Sequence, residues 1–233
     1  MSPSPPMAGL SPSDCKRIII VGAGGFGREV LQWARHAWPS DAHKIAGFLS
    51  ADPDKLDGLA PTLPILGSPA GFQPLPADGV VLAIGVPGVR RQVAEQLEAN
   101  GARFLTVIDP TAIVADTAQI GTGTIICPYA IVSDAVRLGR CVLVNYHASL
   151  GHDAAAEDYA VLSPYATLGG GSEVGADVFL GLHASVGPGR RVGAGSVVSS
   201  NSVALVDTAE NCLVYGVPGR VVPHLSTGRS NGI

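Results

Sequence analysis

Residues 114–198 decide the fold, and divided into sixes they read VADTAQ IGTGTI ICPYAI VSDAVR LGRCVL VNYHAS LGHDAA AEDYAV LSPYAT LGGGSE VGADVF LGLHAS VGPGRR VGAGSV V. The first position of every hexad is Val, Ile or Leu, except at Ala156, and the fifth position is mostly a small residue. Because residues two apart in a strand point to the same face, each hexad offers one small and one aliphatic side chain to an interior. A fixed period of six therefore predicts a stacked solenoid, a parallel β-helix of hexapeptides.

Composition excludes several classes of function. The 233 residues are enough for two modest domains, and a net charge of −4 gives no support for nucleic-acid binding, which needs a clustered basic surface. The chain has no run of about 18 apolar residues, so we expect no membrane-spanning helix. The four cysteines lack CxxC spacing, which predicts buried or free thiols in a reducing compartment and a cytoplasmic protein.

A different pattern precedes the hexads. Residues 16–22 (KRIIIVG) form an apolar run that ends at a glycine, which is typical of a buried parallel strand. The next residues place Gly22, Gly24 and Gly27 in G-x-G-x-x-G spacing, and an amphipathic helical pattern follows. Strand, glycine turn and helix together predict a phosphate-binding turn, because backbone N–H groups at a helix start can hold an anion.

The rest of this first unit completes a small α/β domain. We predict strands at 44–49, 79–84 and 103–108, and a helix at 89–99 with Val89, Val93 and Leu97 facing inward. The segment is about one mononucleotide-binding half of a doubly wound fold, and Ser50 stands where a ribose-binding carboxylate is expected. Nucleotide or nucleotide-sugar phosphate is therefore favoured over NAD, and a purely structural glycine turn remains an alternative.

The predicted organisation has four segments. They are a Pro/Ser-rich disordered lead-in at 1–15, a Rossmann-like nucleotide-sugar-binding domain at 16–108, a β-helix at 109–222 and a flexible tail at 223–233.

Four stretches resemble the bacterial sugar O-/N-acyltransferases, which include nucleotide-aminosugar N-acetyltransferases and sialic-acid O-acetyltransferases. These stretches are the GAGGFGREV turn, Ala83-Ile84-Gly85 followed by Arg90, VNYHASLGHD at 144–153 and GVPGR at 216–220. The third is similar to the family's active-site pattern V-N-x-x-x-x-[IV]-x-H-[DE]. The resemblance covers about residues 16–222, and it implies a left-handed β-helix, a homotrimer and acetyl-CoA as co-substrate in a cleft between neighbouring subunits.

The resemblance also assigns roles to residues. His152 matches the family's general base and Asp153 its acidic modulator. Expected substrate-binding residues are Gly24, Gly25, Phe26, Gly27, Ser50, Gly85, Arg90 and Asn145. Expected acetyl-CoA contacts are Gly170, Leu182, Ser200, Val217 and Pro218. The chain departs from its relatives at Val161, where some carry a second histidine, and at Ser200, where a glycine is expected.

The chemistry of acetyl transfer is consistent with a histidine at this place. An amine must be neutral to attack a thioester, so the reaction needs a base that works near neutral pH, and histidine is the usual one. His152 follows the inward-facing Leu150 by two residues, which places it at a coil corner where its ring can project outward. Asp153 beside it could orient the imidazole or raise its basicity.

The sequence therefore favours an acetyl-CoA-dependent N-acetyltransferase that acts on a nucleotide-linked 4-amino-4,6-dideoxy sugar for surface polysaccharide. The alternatives are an O-acetyltransferase of a sialic-acid-like sugar and a non-catalytic hexapeptide scaffold. His147 and His152 are spaced like two zinc ligands of the gamma-class carbonic anhydrases, but Thr111 stands at the third position, so no metal site is predicted. His147, Tyr165 and His183 are 18 residues apart, and we expect them to stack in a column.

Overall fold

The computed structural model describes residues 10–59 and 63–223, so the predictions for 1–9 and 224–233 lie outside the described residues. The first part of the chain forms a parallel sheet of four strands with two helices. Its strands are β1 (Arg17–Val21), β2 (Ile45–Leu49), β3 (Ile65–Gly67) and β4 (Asp78–Leu82), and its helices are α1 (Gly25–Ala37) and α2 (Pro87–Ala99).

The strand order is β3-β2-β1-β4, and every pairing is parallel. Strand β1 is buried from Ile18 to Val21, as expected for a central strand with helices on both faces. Helix α1 begins directly after the glycine turn and buries Val30, Leu31 and Ala34 against the sheet. The predicted strand, glycine turn and helix are therefore present in that order.

The second helix and the last predicted strand differ from expectation. Helix α2 starts at Pro87, because proline is well suited to the first helical position. Its buried face carries Arg90, Ala94 and Leu97, while Val89 and Val93 are only partly buried. Of the strand predicted at 103–108, Phe104 makes only a single bridge to the sheet, and Val107–Ile108 form the first strand of the β-helix instead.

Residues 10–15 also differ from the predicted disordered lead-in. Ser11 caps a short 3-10 helix at Pro12–Asp14, and the Asp14 carboxylate accepts a hydrogen bond from the Ser11 N–H. Cys15 is buried beside the sheet. A capped turn and a buried side chain fix this segment, which composition alone does not predict.

The second part of the chain is a left-handed parallel β-helix with three faces. Most of its strands are two residues long: β5 (Val107–Ile108), β6 (Ile113–Val114), β7 (Gln119–Ile120), β8 (Ile125–Ile126), β9 (Ile131–Val132), β10 (Arg137–Leu138), β11 (Leu143–Val144), β12 (Ser149–Leu150), β13 (Ala155–Ala156), β14 (Val161–Leu162), β15 (Thr167–Leu168), β16 (Glu173–Val174), β17 (Phe179–Leu180), β18 (Ser185–Val186), β19 (Arg191–Val192), β20 (Val197–Val198), β21 (Val203–Ala204), β22 (Cys212–Tyr215) and β23 (Arg220–Pro223).

The strands alternate among the faces in order. Face 1 contains β5, β8, β11, β14, β17, β20 and β22, and β23 pairs antiparallel to β22 at its end. Face 2 contains β6, β9, β12, β15, β18 and β21, and face 3 contains β7, β10, β13, β16 and β19. We name the turns between faces the 1–2 edge, the 2–3 edge and the 3–1 edge.

The register confirms the hexapeptide period. Partners such as Leu143 and Val161, or Ser149 and Thr167, are 18 residues apart, so three hexads make one coil. The aliphatic and small residues predicted to face inward form one continuous core from Ile126 to Val214. Each fully buried Val or Leu contributes roughly 1.5–3 kcal/mol. Arg190 is the exception, since its charged side chain leaves the inward row and is exposed.

The outer side of face 1 carries the α/β domain. Val161, Leu143 and Ile125 are buried in one cluster with Ile20 and Val30 of that domain. The domain therefore packs directly on the β-helix without a linker.

Asp109 fastens the junction between the two parts. Its carboxylate is fully buried and accepts hydrogen bonds from the Thr111 N–H and hydroxyl, and it lies 2.9 Å from Nδ1 of His36 on α1. Burial alone raises the pKa of Asp109, but these hydrogen bonds outweigh it, so the pKa lies below its ordinary value.

Asp109→Asn is expected to lower the free energy of unfolding by about 1–3 kcal/mol at neutral pH, because the hydrogen bonds lose a charged acceptor. Because the pKa of Asp109 is lower in the folded than in the unfolded state, its carboxylate stabilises the folded protein at pH values above the unfolded-state pKa. This stabilisation is lost as the pH falls through the folded-state pKa. The difference between variant and wild type should thus begin to shrink near about pH 4, the ordinary pKa of an aspartate, and vanish only below the lower folded-state pKa of Asp109. Denaturant unfolding at several pH values measures this, and a difference that persists in acid would contradict it.

Candidate active site

A cavity of about 290 Å³ opens at the carboxyl ends of β1, β2 and β4. This is the end of a parallel sheet at which open α/β folds bind ligands. Its lining combines glycines and apolar side chains, one of them aromatic, with one hydroxyl and one ammonium group: Val21, Gly22, Ala23, Gly24, Gly25, Phe26, Gly27, Leu49, Ser50, Ala51, Lys55, Pro69, Ala83, Ile84, Gly85, Val89 and Val93.

The glycine turn lines one side of this cavity with backbone N–H groups. A side chain at Gly27 would collide with the carbonyl oxygen of Gly22, so only glycine allows helix and strand to approach this closely. The first helical hydrogen bond runs from the N–H of Arg28 to the carbonyl of Gly24. Among the described residues, the N–H groups of Gly25, Phe26 and Gly27 have no partner, so they are available to phosphate oxygens.

Six of the predicted substrate-binding residues meet in this cavity: Gly24, Gly25, Phe26, Gly27, Ser50 and Gly85. Sequence reasoning missed Lys55, Pro69, Val89 and Val93, which also line it. The rule that ligands bind at the carboxyl ends of parallel strands could have indicated Val89 and Val93, because α2 starts there. Lys55 lies in a loop, and the sequence around it contains no pattern that predicts a ligand contact.

Arg90 is not in the cavity, so its predicted substrate contact is not supported. Its guanidinium is fully buried between the two parts of the chain. Its Nε donates to the carbonyl of Cys141 at 2.6 Å, and its Nη1 donates to the carbonyls of Leu82 and Ile84 at 2.7 and 2.8 Å. Burial lowers the pKa of Arg90 to about 10, so the side chain is protonated at neutral pH. Among the described residues its Nη2 has no hydrogen-bond partner.

Asn145 also lies away from the cavity. It sits on the 1–2 edge, and its side-chain oxygen accepts a hydrogen bond from the Tyr146 N–H at 2.8 Å. In one chain, Asn145 therefore stabilises its own turn.

His152 and Asp153 occupy a turn on the 2–3 edge, between β12 and β13. Nδ1 of His152 lies 2.8 Å from Oδ2 of Asp153, and the two side chains are 72% and 65% exposed. Because a carboxylate only accepts, this hydrogen bond places the proton of a neutral imidazole on Nδ1. Nε2 then carries the lone pair, so it can accept a proton from a substrate.

Gly170 lies one coil beyond His152 on the same edge. A Cβ atom at Gly170 would lie 2.6 Å from Nε2 of His152, well inside van der Waals contact. The absence of a side chain at Gly170 therefore keeps the space beside Nε2 of His152 open. Gly170, which the sequence predicts to contact acetyl-CoA, therefore lies against His152 in this chain.

The other expected acetyl-CoA residues lie elsewhere in the chain. Leu182 and Ser200 are exposed neighbours on the 1–2 edge. Val217 and Pro218 lie in the turn between β22 and β23, where Val217 is 70% exposed. A single chain thus does not bring these four residues to His152. Val161, at the place of the second family histidine, is buried against the α/β domain.

The predicted ring column is present, and it is longer than expected. His147, Tyr165 and His183 stack at centroid distances of 4.8 and 4.6 Å, and Tyr129 extends the stack at 5.2 Å from His147. Tyr129 precedes His147 by 18 residues, so the coil period could have identified it. The column follows the 1–2 edge and leaves Tyr129 and Tyr165 exposed.

Two observations concern cofactors and membranes. Across residues 10–59 and 63–223, no group of three or more His, Cys, Asp or Glu side chains is arranged to hold a metal ion. Neither described helix has both the length and the apolar character needed to cross a membrane.

Comparison with known proteins supports this architecture. Residues 17–97 match the family described as the PglD N-terminal domain. No curated protein matches the chain. The acetyltransferase domain of PglB from Neisseria gonorrhoeae FA1090 is 25% identical with a TM-score of 0.79, covering 89% of this chain and 100% of that chain.

Two further solved structures have the same fold over nearly their whole length. WeeI from Acinetobacter baumannii AYE is 25% identical with a TM-score of 0.67, covering 88% of this chain and 99% of that chain. A histidine-to-asparagine variant of perosamine N-acetyltransferase from Caulobacter crescentus, in complex with CoA and GDP-perosamine, is 24% identical with a TM-score of 0.79. That comparison covers 88% of this chain and 96% of that chain. The chain therefore joins a PglD-type N-terminal domain to a hexapeptide β-helix, and in this architecture it resembles bacterial acetyltransferases.

Proposed function

We propose that this protein transfers the acetyl group of acetyl-CoA to the amine of a nucleotide-linked 4-amino-4,6-dideoxy sugar, with His152 as the general base. The observation that carries the proposal is the hydrogen bond from His152 to Asp153, which leaves Nε2 free beside the open space at Gly170. The glycine-lined cavity supports a nucleotide diphosphate as carrier, because it presents unpartnered N–H groups.

The chemistry needs only groups of this chain and the two substrates. Nε2 of His152 accepts a proton from the sugar nitrogen as that nitrogen bonds to the thioester carbonyl carbon. The carbon–sulfur bond breaks, and the proton passes to the departing sulfur, so the products are the N-acetylated sugar and free CoA. Asp153 holds the imidazole and stabilises its positive charge while it carries the proton.

We also propose that the working form is a homotrimer with the reaction site between subunits. The residues that line the nucleotide cavity all lie between 21 and 93, and none belongs to the β-helix that carries His152. The expected acetyl-CoA residues are divided between two edges of one chain. Exposed apolar side chains beside the 1–2 edge, such as Ile113, Ile131 and Tyr129, support burial against a second copy.

A cytoplasmic location belongs to the same proposal. The four cysteines are free, and Cys15, Cys127 and Cys141 are buried. Burial raises the pKa of each of these three thiols, so they are protonated and unreactive at neutral pH.

The test is CoA release from acetyl-CoA with UDP-, GDP- and dTDP-linked 4-amino-4,6-dideoxy sugars, with mass spectrometry of the product. We expect turnover of at least one of them, and a product that is heavier by one acetyl group. Reactions without a sugar acceptor control for thioester hydrolysis. Turnover of a free sialic-acid-like sugar, with none of the nucleotide-linked amines reacting, would replace this function by O-acetylation.

A further inference from the structure

The peptide unit between Ile84 and Gly85 is held in one orientation by a buried charge. Nη1 of Arg90 donates to the carbonyl of Ile84 at 2.8 Å and to that of Leu82 at 2.7 Å, and the Arg90 side chain is fully buried. A hydrogen bond from a charged donor in a buried place is strong and directional. The Ile84 carbonyl is therefore fixed toward the interior.

A fixed carbonyl also fixes the N–H of the next residue. In a planar trans peptide the C=O and the N–H point in opposite directions, so the N–H of Gly85 points away from Arg90. Gly85 lines the nucleotide cavity. Among the described residues its N–H has no hydrogen-bond partner. This leaves a backbone donor at the cavity wall that is available to a ligand.

The strand order says which part of a ligand this donor would meet. In related α/β folds the diphosphate lies at the glycine turn after the first strand, and the nucleoside lies toward the second. Here β1 lies between β2 and β4. Gly85 follows β4, so it is on the opposite side of the diphosphate from the nucleoside.

We propose that Arg90 is a positioning residue, which directs the Gly85 N–H to the distal phosphate or the adjoining sugar oxygen of a nucleoside-diphosphate-linked substrate. This inference rests on the proposed function and adds a named donor and its support. It also explains why a fully buried guanidinium is present beside a cavity that it does not line. Its Nε contact to Cys141 ties the same cavity wall to the β-helix.

The variants Arg90→Met and Arg90→Lys test the proposal by calorimetry with UDP, GDP and dTDP and with the corresponding monophosphates. For the diphosphate that binds best, Arg90→Met should weaken binding about tenfold, as expected when one directed hydrogen bond is lost. Monophosphate binding should change by less than about twofold, because the nucleoside side keeps its contacts. Arg90→Lys can still donate to the two carbonyls of the cavity wall and should recover part of the diphosphate affinity.

Arg91→Gln is the matched control on the same helix. Arg91 pairs with Asp177 of the β-helix at 2.7 Å and does not touch the Ile84 carbonyl. If Arg90 only holds the two parts of the chain together, Arg91→Gln and Arg90→Met should act alike and weaken the binding of diphosphates and monophosphates equally. The proposal predicts that only the Arg90 variant separates diphosphate from monophosphate.

Amide NMR of the wild-type protein gives a test that needs no disruptive variant. Gly85→Ala identifies the Gly85 resonance, and a Cβ atom there has no neighbour within 4 Å, so this change is sterically safe. We expect the Gly85 amide proton to shift downfield with a diphosphate and to stay in place with a monophosphate. If the amides of residues 25–27 respond and Gly85 does not, the inference is wrong while the nucleotide site stands. If no nucleotide moves any of them, the proposed function fails as well.

Discussion

His152→Ala is expected to lower kcat by about 10²–10⁴-fold, because the variant has no group to accept the amine proton. The His152 side chain is largely exposed and contributes nothing to the β-helix core, so the melting temperature should stay unchanged. KM values for both substrates should change by no more than about twofold, since the imidazole acts mainly in the transition state. Steady-state kinetics with the amino sugar that the wild type acetylates measure all three quantities.

Asp153→Asn provides the graded comparison for this result. Asp153 has a left-handed backbone (φ 58°), which asparagine tolerates well, so the turn should keep its shape. We expect a loss of kcat that is smaller than that of His152→Ala, because the imidazole remains while its charged partner does not. An unchanged kcat in His152→Ala would remove the histidine from the mechanism and leave the substrate amine to lose its proton to water.

The fold could be predicted from the sequence because the β-helix repeats one physical requirement many times. Every coil needs inward small and aliphatic residues at the same spacing, so single exceptions such as Ala156 and Arg190 do not hide the period. The α/β domain offers no such repetition. In α2, Leu97 is buried as predicted, but the helix also buries Arg90, while Val89 and Val93 are only partly buried.

The cavity was predictable where backbone geometry restricts the residue type. The glycine turn must have small residues at fixed spacing, and its members meet in the cavity as expected. Arg90 shows the limit of this approach. A charged residue near a cavity is expected to bind the ligand, and the sequence does not reveal that three backbone carbonyls surround its guanidinium instead. The hydrogen bond to the Cys141 carbonyl links residues 51 positions apart, beyond the range of any local pattern.

Gly170→Ala is expected to lower kcat by about 10²-fold through His152 alone. The added methyl group would lie 2.6 Å from Nε2 of His152, so the exposed imidazole must rotate away. The three nearest atoms all belong to this side chain, so we expect the backbone to keep its position. Gly170 does not have a left-handed φ, and alanine therefore introduces no backbone strain. We expect an unchanged melting temperature together with the loss of kcat, which kinetics and thermal unfolding measure side by side.

A double-mutant cycle decides whether Gly170 acts through the histidine or on acetyl-CoA. If the methyl group only displaces the imidazole, Gly170→Ala should have no further effect on kcat once His152 is alanine, so the two changes are strongly non-additive. If Gly170 instead contacts acetyl-CoA directly, the methyl group should raise the KM for acetyl-CoA in both backgrounds. Additive losses would contradict the assignment of Gly170 as the residue that keeps Nε2 accessible. Because His152 and Gly170 are neighbours in successive coils, non-additivity would also show that stacking in the β-helix, rather than adjacency in sequence, assembles the proton-accepting site.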